Sequence, residues 1–161
     1  MSVLKKIPKM NDNDLRQLFL NANHLIEKSK MVEQANAVID AIESEWQRRL
    51  ERFDKGLYKA DTPEEGVLKA VGYKVGNDGV THKIRHQLLD YVMTRSLPSI
   101  GSPAYLAEWG EPDTKERYRK LHRVIRVLAS SGKKFQNMDT AVHQWEEDLE
   151  YLEEKYYQKY Y

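Results

Sequence analysis

The sequence contains no cysteine, and this absence removes several chemistries together. Without thiols there is no disulfide scaffold, no thiolate zinc or iron–sulfur site and no cysteine nucleophile. Proline and glycine are also scarce, with 5 and 8 residues among 161. A chain of this length needs no cross-links, because a domain of ~150 residues already buries roughly 68–70% of its unfolded surface.

Long apolar runs and an excess of one charge are missing as well. Residues 1–8 lack the apolar core of a signal peptide, and no later segment approaches the ~20 apolar residues of a spanning helix. Together with the absence of cysteine, this predicts a cytoplasmic protein with no membrane partner. Lys plus Arg is 26 and Asp plus Glu is 25, so the overall charge indicates no particular class of partner.

Two amphipathic helices are predicted in the first third of the chain. Apolar residues recur at helical spacing from Leu15 to Ile26, and a second stripe runs from Val32 to Phe53. Only a short polar turn separates the two stripes. The pattern therefore predicts a helical hairpin with antiparallel helices over residues 12–28 and 31–54.

The rest of the chain is predicted to be a compact helical domain over residues 58–161, following a hairpin domain over 1–57. Turn-forming residues between Gly56 and Gly66 mark the boundary. A short β-hairpin is expected at residues 73–80, where β-favouring residues flank an Asn-Asp-Gly turn. The predicted fold class is thus all-α, a helical hairpin plus a compact helical domain with one small β-hairpin.

Capping residues predict where the later helices begin. Thr81 is expected to cap a helix over residues 82–95, and Asp113 to cap one that ends before Ser131. The last helix is expected to begin near Asp139. The three tryptophans fall on apolar faces and are predicted core anchors: Trp46, Trp109 and Trp145.

The last two long helices carry opposite charges. Residues 115–134 hold eight basic side chains against one acidic, a net +7, whereas residues 139–155 hold seven acidic against one basic, a net −6. The acidic residues are interpreted as a solvated face. The basic helix has the composition of a surface that follows nucleic-acid phosphates. Its candidate binding residues are Lys115, Arg119, Arg123, Arg126, Lys133 and Lys134.

A second interpretation of the same charges stays open. If the two helices are antiparallel neighbours, their charges neutralise each other along the seam. Exposed ion pairs of this kind contribute only about 0–1 kcal/mol each, so they would guide register more than stability.

One pair of histidines has the spacing of a metal site. His82 and His86 are four residues apart on a predicted helix, but Lys83 and Arg85 place positive charge beside them. Because cations disfavour a divalent ion, no metal and no other cofactor is predicted. An enzyme built around the two histidines and Asp90 is a third, less favoured hypothesis.

Short segments along most of the chain resemble a family of uncharacterised bacterial proteins. They are Leu15–Ala22, Glu45–Arg49, Ala70–Gly76 (AVGYKVG), Tyr105–Pro112 (YLAEWGEP) and Trp145–Leu149 (WEEDL). The resemblance implies a bacterial protein. It implies no activity, cofactor or catalytic residue.

The sequence therefore predicts a non-enzymatic binding module. In the first hypothesis, the basic helix at 115–134 binds nucleic-acid phosphates weakly. In the alternative, the protein has a structural or protein–protein interaction role, and the N-terminal hairpin contacts a protein partner or a second copy of the chain.

Overall fold

A computed structural model describes residues 2–54 and 66–161. Its α-helices are α1 Val3–Lys6, α2 Asp12–Glu27, α3 Val32–Asp54, α4 Gly66–Ala70, α5 His82–Thr94, α6 Pro103–Ala107, α7 Lys115–Gly132, α8 Asp139–Leu152 and α9 Gln158–Tyr160. Two 3₁₀ turns, Ile7–Lys9 and Gln136–Met138, and a π-helix, Glu153–Tyr157, lie between them. No β-strand occurs in the described residues, and the fold is all-α, as predicted.

The β-hairpin predicted at residues 73–80 is wrong. Its turn forms, since the Gly79 N–H donates to the Gly76 carbonyl at 3.0 Å. The flanking residues make one further backbone bond across the turn, from the Val80 N–H to the Lys74 carbonyl at 3.0 Å, but no strand follows, and other groups bond to helix α8. The Gly76 N–H donates to the Gln144 side chain at 2.7 Å, and the Tyr73 side chain is buried against the same helix. These tertiary bonds to α8 hold the segment as a turn instead of the two-stranded hairpin that local composition favours.

The chain divides into two compact units. The first contains Met1–Gly72 and Ser96–Ala107, and the second contains Tyr73–Arg95 and Glu108–Tyr161. The predicted boundary between 1–57 and 58–161 falls within residues 55–65, outside the described residues.

The first unit contains the helical hairpin. Helices α2 and α3 match the predicted ranges to within one residue at each end. The side chain of Asn11 caps α2 by accepting from the Asp14 N–H at 2.7 Å. Between the helices, Ser29 and Met31 adopt left-handed φ angles of 57° and 47°, which reverse the chain within a few residues.

The facing stripes of this hairpin form the core of the first unit. Phe19 packs against Trp46 with ring centroids 5.3 Å apart, and both side chains are almost fully buried. Leu15 and Ala22 are buried beside Phe19 on α2, and Ile42 is buried on α3. The prediction that Trp46 anchors a core is confirmed.

In the second unit, α7 and α8 are antiparallel neighbours. His122, in the first half of α7, lies 2.9 Å from Glu153, which follows α8. At the other end of α7, Gly132 faces Val142 and Trp145 near the start of α8. Glycine allows close approach of the helices there, so α7 continues through Gly132 rather than ending before it as predicted.

The predicted start of α7 is also one residue off. Thr114 caps the helix by accepting from the Arg117 N–H at 3.2 Å, whereas Asp113 lies outside the helix with a left-handed φ of 58°. Trp109 and Trp145 are buried, as predicted. Leu128 has helical spacing from the buried Leu121 and Ile125, and this spacing predicts an inward position, but it is exposed near the C-terminal end of α7.

Among the described residues, none of the helices combines the length and the apolar character that crossing a membrane requires.

Candidate nucleic-acid interface

The candidate interface begins with the arginines of α7. Arg119, Arg123 and Arg126 are spaced i, i+4, i+7, so they lie about 6 and 4.5 Å apart along one helical face. All three are exposed. Leu121 and Ile125 are fully buried on the opposite face, and their packing in the core turns the arginine face towards solvent.

The acidic helix does not neutralise these arginines. Among the described residues, no ion pair joins Arg119, Arg123 or Arg126 to an acidic side chain. The seam between α7 and α8 is bridged elsewhere, by Lys133 with Glu146 at 3.0 Å and by the His122–Glu153 pair. The three guanidinium groups therefore take no part in the ion pairs between α7 and the acidic segment that follows it.

The other candidate residues occupy different surroundings. The Lys115 Nζ lies 4.3 Å from the centre of the Tyr161 ring, so its charge faces an aromatic ring. Lys133 pairs with Glu146, as noted above, and Lys134 is exposed just past the end of α7. The structure thus brings the three arginines onto one face, whereas Lys133 is paired with an acidic side chain and neither Lys133 nor Lys134 lines the groove described next.

An open groove of about 1,090 Å³ runs beside this face. One wall is α7 with its basic side chains, and the other is the π-helix and the residues that follow it. The residues that line the groove are Glu108, Glu116, Tyr118, Arg119, Lys120, His122, Arg123, Arg126, Glu153, Glu154, Tyr157, Gln158 and Tyr161. The groove therefore has a basic wall and a wall of acidic and aromatic side chains.

Two tyrosines of the second wall form an exposed stack. The rings of Tyr157 and Tyr161 lie 4.8 Å apart and 12° from parallel, and 49% and 54% of these residues remain exposed. Tyr118 lies deeper beneath Tyr161, and burial raises the pKa of its phenol to about 12. Sequence reasoning missed these tyrosines as partners of the basic face. They are distant from the arginines in the chain, and the two groups meet only after α7 and α8 pair.

A buried carboxylate, Asp148, organises a cluster of side chains that do not line the groove. Asp148 is fully buried and accepts from the Tyr73 hydroxyl at 2.5 Å and from the Arg85 Nε at 2.8 Å. The His86 Nε2 lies 3.0 Å from its other oxygen. Burial and the nearby Asp148 raise the pKa of Tyr73 far above its usual value, so the phenol stays a donor. The interpretation of Asp148 as part of a solvated face is wrong.

The spacing of α8 contains the signal for this burial. Ala141, Trp145, Asp148 and Leu152 follow a 4, 3, 4 pattern, and all four are buried. Asp148 therefore occupies a core position in a helix whose other acidic residues are exposed. A polar residue at such a position is expected only with partners, and the chain supplies them from two distant segments.

A second carboxylate, Asp90 of α5, forms hydrogen bonds with residues of the π-helix. It accepts from the Tyr156 hydroxyl at 2.6 Å, the Tyr151 hydroxyl at 2.7 Å and the Lys155 Nζ at 2.8 Å. Burial opposes the charge of Lys155, but its bonds to Asp90 and Tyr151 raise its pKa above the usual value. Burial and the bond to Asp90 also raise the pKa of Tyr156. The three bonds that Asp90 accepts join helix α5 to the end of α8 and to the π-helix.

The histidine-based enzyme hypothesis gains no support from this arrangement. His86 bonds to Asp148 and stacks on Tyr151 at 3.8 Å, whereas Asp90 belongs to the other cluster. His82 contacts the ring of His86 edge-on at 5.9 Å. Among the described residues, His86 and Asp90 each bond to other side chains and not to one another.

One group of side chains has the spacing of a metal site, namely His86, Glu147 and Asp148. Arg85 occupies one oxygen of each carboxylate, at 2.9 Å from Glu147 and 2.8 Å from Asp148. Its positive charge at the centre of the group disfavours a divalent cation. We interpret the group as an ion-pair network centred on the buried Arg85–Asp148 pair.

Arg117 differs from the other basic residues of α7. It is buried, and its guanidinium donates to four backbone carbonyls, those of Val92, Arg95, Trp109 and Gly110, at 2.5–3.1 Å. Burial lowers its pKa. Its charge binds the loop before α7 to the end of α5, so it does not contribute to the exposed basic face.

The comparisons with known proteins add no relative to this description. No protein-family model matches the chain, and neither the curated proteins nor the solved structures contain one that is detectably similar to it. The functional argument therefore depends on the geometry of the groove.

Proposed function

We propose that the second unit binds the phosphate backbone of nucleic acids, weakly and with little sequence preference, through Arg119, Arg123 and Arg126. One observation carries the proposal: three exposed guanidinium groups share a helix face, and no described acidic residue pairs with them. A guanidinium presents several donors that match a phosphate, and its binding releases condensed counterions.

The setting that we propose is the bacterial cytoplasm, where nucleic acids are accessible. The cysteine-free composition and the family resemblance support this setting. The proposal concerns a binding module, and no reaction is part of it.

The alternative, an interaction surface on the N-terminal hairpin, has less support. Many apolar residues of α2 and α3, such as Phe19, Ala22 and Ile42, are buried by packing within the first unit. Among the described residues of this hairpin, the exposed large apolar side chains are those of Met31 and Val32, at the turn. A docking face for a protein partner would need a broader apolar patch than these two residues form.

The test is a charge-removing variant with a matched control. Replacing Arg119, Arg123 and Arg126 with Gln keeps helix propensity and removes three charges. The control replaces Lys5, Lys6 and Lys9 with Gln, which removes three exposed charges from the first unit. Binding to a fluorescent oligonucleotide is measured by anisotropy at low ionic strength, because non-specific affinities are only about 10⁻⁴–10⁻⁶ M at physiological salt.

We expect the arginine variant to bind at least about tenfold more weakly than the parent, and the lysine control to stay within about twofold. Circular dichroism should show the same helical content for all three proteins. The proposal fails if the parent binds neither single strands nor duplexes at low salt, or if both variants lose affinity equally.

A further inference from the structure

The two walls of the groove differ in a way that selects among nucleic acids. This inference rests on the proposed function: we infer that the groove takes a single strand, with its phosphates along the arginines of α7 and one base stacked on Tyr157. The argument depends on the charges of the walls and on the geometry of the tyrosine stack.

The acidic wall disfavours a duplex. A duplex carries a phosphate row on each side of its grooves, so docking one row on the arginines brings further phosphates near Glu153 and Glu154, which line the groove opposite. A single strand has one phosphate row, and its bases extend away from it. Base edges carry amino and imino N–H donors, which carboxylates accept. The acidic wall is thus compatible with bases and repels phosphates.

The tyrosine stack offers one free aromatic face. One face of Tyr161 is covered by Tyr157, and the Lys115 Nζ lies over the same ring at 4.3 Å. Tyr157 is half exposed, and within the described part of the chain no ring or cation other than Tyr161 contacts it. A base that stacks in this groove therefore meets Tyr157. Stacking on a tyrosine is tolerant of sequence, since every base has a π-face.

The segment that carries Tyr157 is held in place before any ligand arrives. Tyr157 ends the π-helix Glu153–Tyr157, and its neighbours Lys155 and Tyr156 both bond to Asp90 at 2.8 and 2.6 Å. These bonds fix the segment that carries the ring, which lowers the ordering cost of binding. Single-turn π-helices are frequent at functional sites because they reposition side chains.

The test compares one strand with its own duplex. A labelled DNA oligonucleotide of about 12 nucleotides is titrated alone and annealed to its complement, at low ionic strength, against the full chain. The variants are Tyr157→Ala, Tyr157→Phe, which keeps the ring, and Phe135→Ala. Phe135 is an exposed aromatic outside the groove and serves as the matched control.

We expect the parent to prefer the single strand. Tyr157→Ala should weaken single-strand binding about tenfold and leave duplex binding within about twofold. Tyr157→Phe and Phe135→Ala should bind like the parent. If the duplex binds as well as the strand, or if Tyr157→Ala leaves single-strand binding unchanged, the inference is wrong.

These outcomes are separable from failure of the proposed function. In the cases just named, the protein still binds nucleic acid and the Arg119, Arg123 and Arg126 substitutions still weaken that binding at least about tenfold. If the parent binds neither form, the proposed function and this inference fail together.

Discussion

At the scale of single residues, the second unit depends on charges that have been taken out of water. Asp148 is fully buried, and Arg85 is 2% exposed. Arg85 compensates the charge of Asp148 directly, and Tyr73 and His86 complete the contacts of the carboxylate. Removing one partner leaves an uncompensated charge, which costs more than the pair contributes.

We therefore predict that Asp148→Asn lowers the free energy of unfolding by about 3 kcal/mol, since it keeps the shape of the side chain and removes its charge. The matched control is Glu150→Gln on the same helix, where the side chain is exposed and the change should stay under about 0.5 kcal/mol. Urea unfolding followed by circular dichroism measures both. Equal stability of the two variants would show that Asp148 is not the centre of the network.

A pH-dependent contribution arises in the first unit at Glu45. Burial opposes its charge, but hydrogen bonds from Arg48 and Arg49, at 2.5–2.9 Å, hold its pKa below the ordinary value of 4.5. Because the pKa is lower in the folded than in the unfolded state, the stabilisation is present above pH 4.5. It is lost as the pH falls through the folded-state pKa.

Glu45→Gln should accordingly lower the free energy of unfolding by about 2 kcal/mol near neutral pH, the scale of a hydrogen bond to a charged group. The difference from the parent should shrink as the pH falls below 4.5. Denaturant unfolding at a series of pH values measures this, with the exposed Glu51→Gln on the same helix as control. A difference that stays constant with pH would contradict the assignment.

At the scale of elements, the pairing of α7 with α8 creates the groove, and it depends on a glycine. A Cβ on Gly132 would lie 2.8 Å from the Val142 Cγ2 and 2.9 Å from the Trp145 Cζ3. The side chains of α8 therefore occupy the space that any larger residue would need. This contact keeps the C-terminal end of α7 close to the beginning of α8.

Gly132→Ala should for this reason destabilise the protein by about 1 kcal/mol. In an exposed helix the same change is favourable by about 0.8–1.0 kcal/mol, but overpacking here costs about 1–3 kcal/mol. Ser131→Ala, at an exposed position in the same turn, is the matched control and should be neutral or slightly stabilising. Thermal unfolding measures both, and a Gly132→Ala variant more stable than the parent would mean that the helices separate easily.

At the scale of the whole molecule, the net charge is only +1, so attraction to nucleic acid has to arise from local charge. We predict a shallow salt dependence on single strands. If Arg119, Arg123 and Arg126 each neutralise one phosphate, the slope of log affinity against log salt is about −2, at about −0.7 per phosphate. Titrations at several salt concentrations measure it. A slope twice as steep would require phosphate contacts beyond these three arginines.

The sequence by itself determined the features that depend on local order along the chain. Helical spacing predicted α2 and α3 to within one residue, Thr81 was identified as the cap of α5, and all three tryptophans were assigned to cores correctly. These assignments succeed because amphipathic periodicity and capping act between residues a few positions apart.

Only the tertiary structure decided which polar residues are buried and which surfaces meet. Composition marked residues 73–80 as a hairpin, yet its backbone and Tyr73 bond to α8. Charge alone predicts a solvated position for Asp148 and gives no sign that Arg85 and Arg117 are buried, yet all three are buried with partners more than one turn away in the chain. The energy of a buried polar group depends on what surrounds it in space, and a one-dimensional pattern does not contain those surroundings.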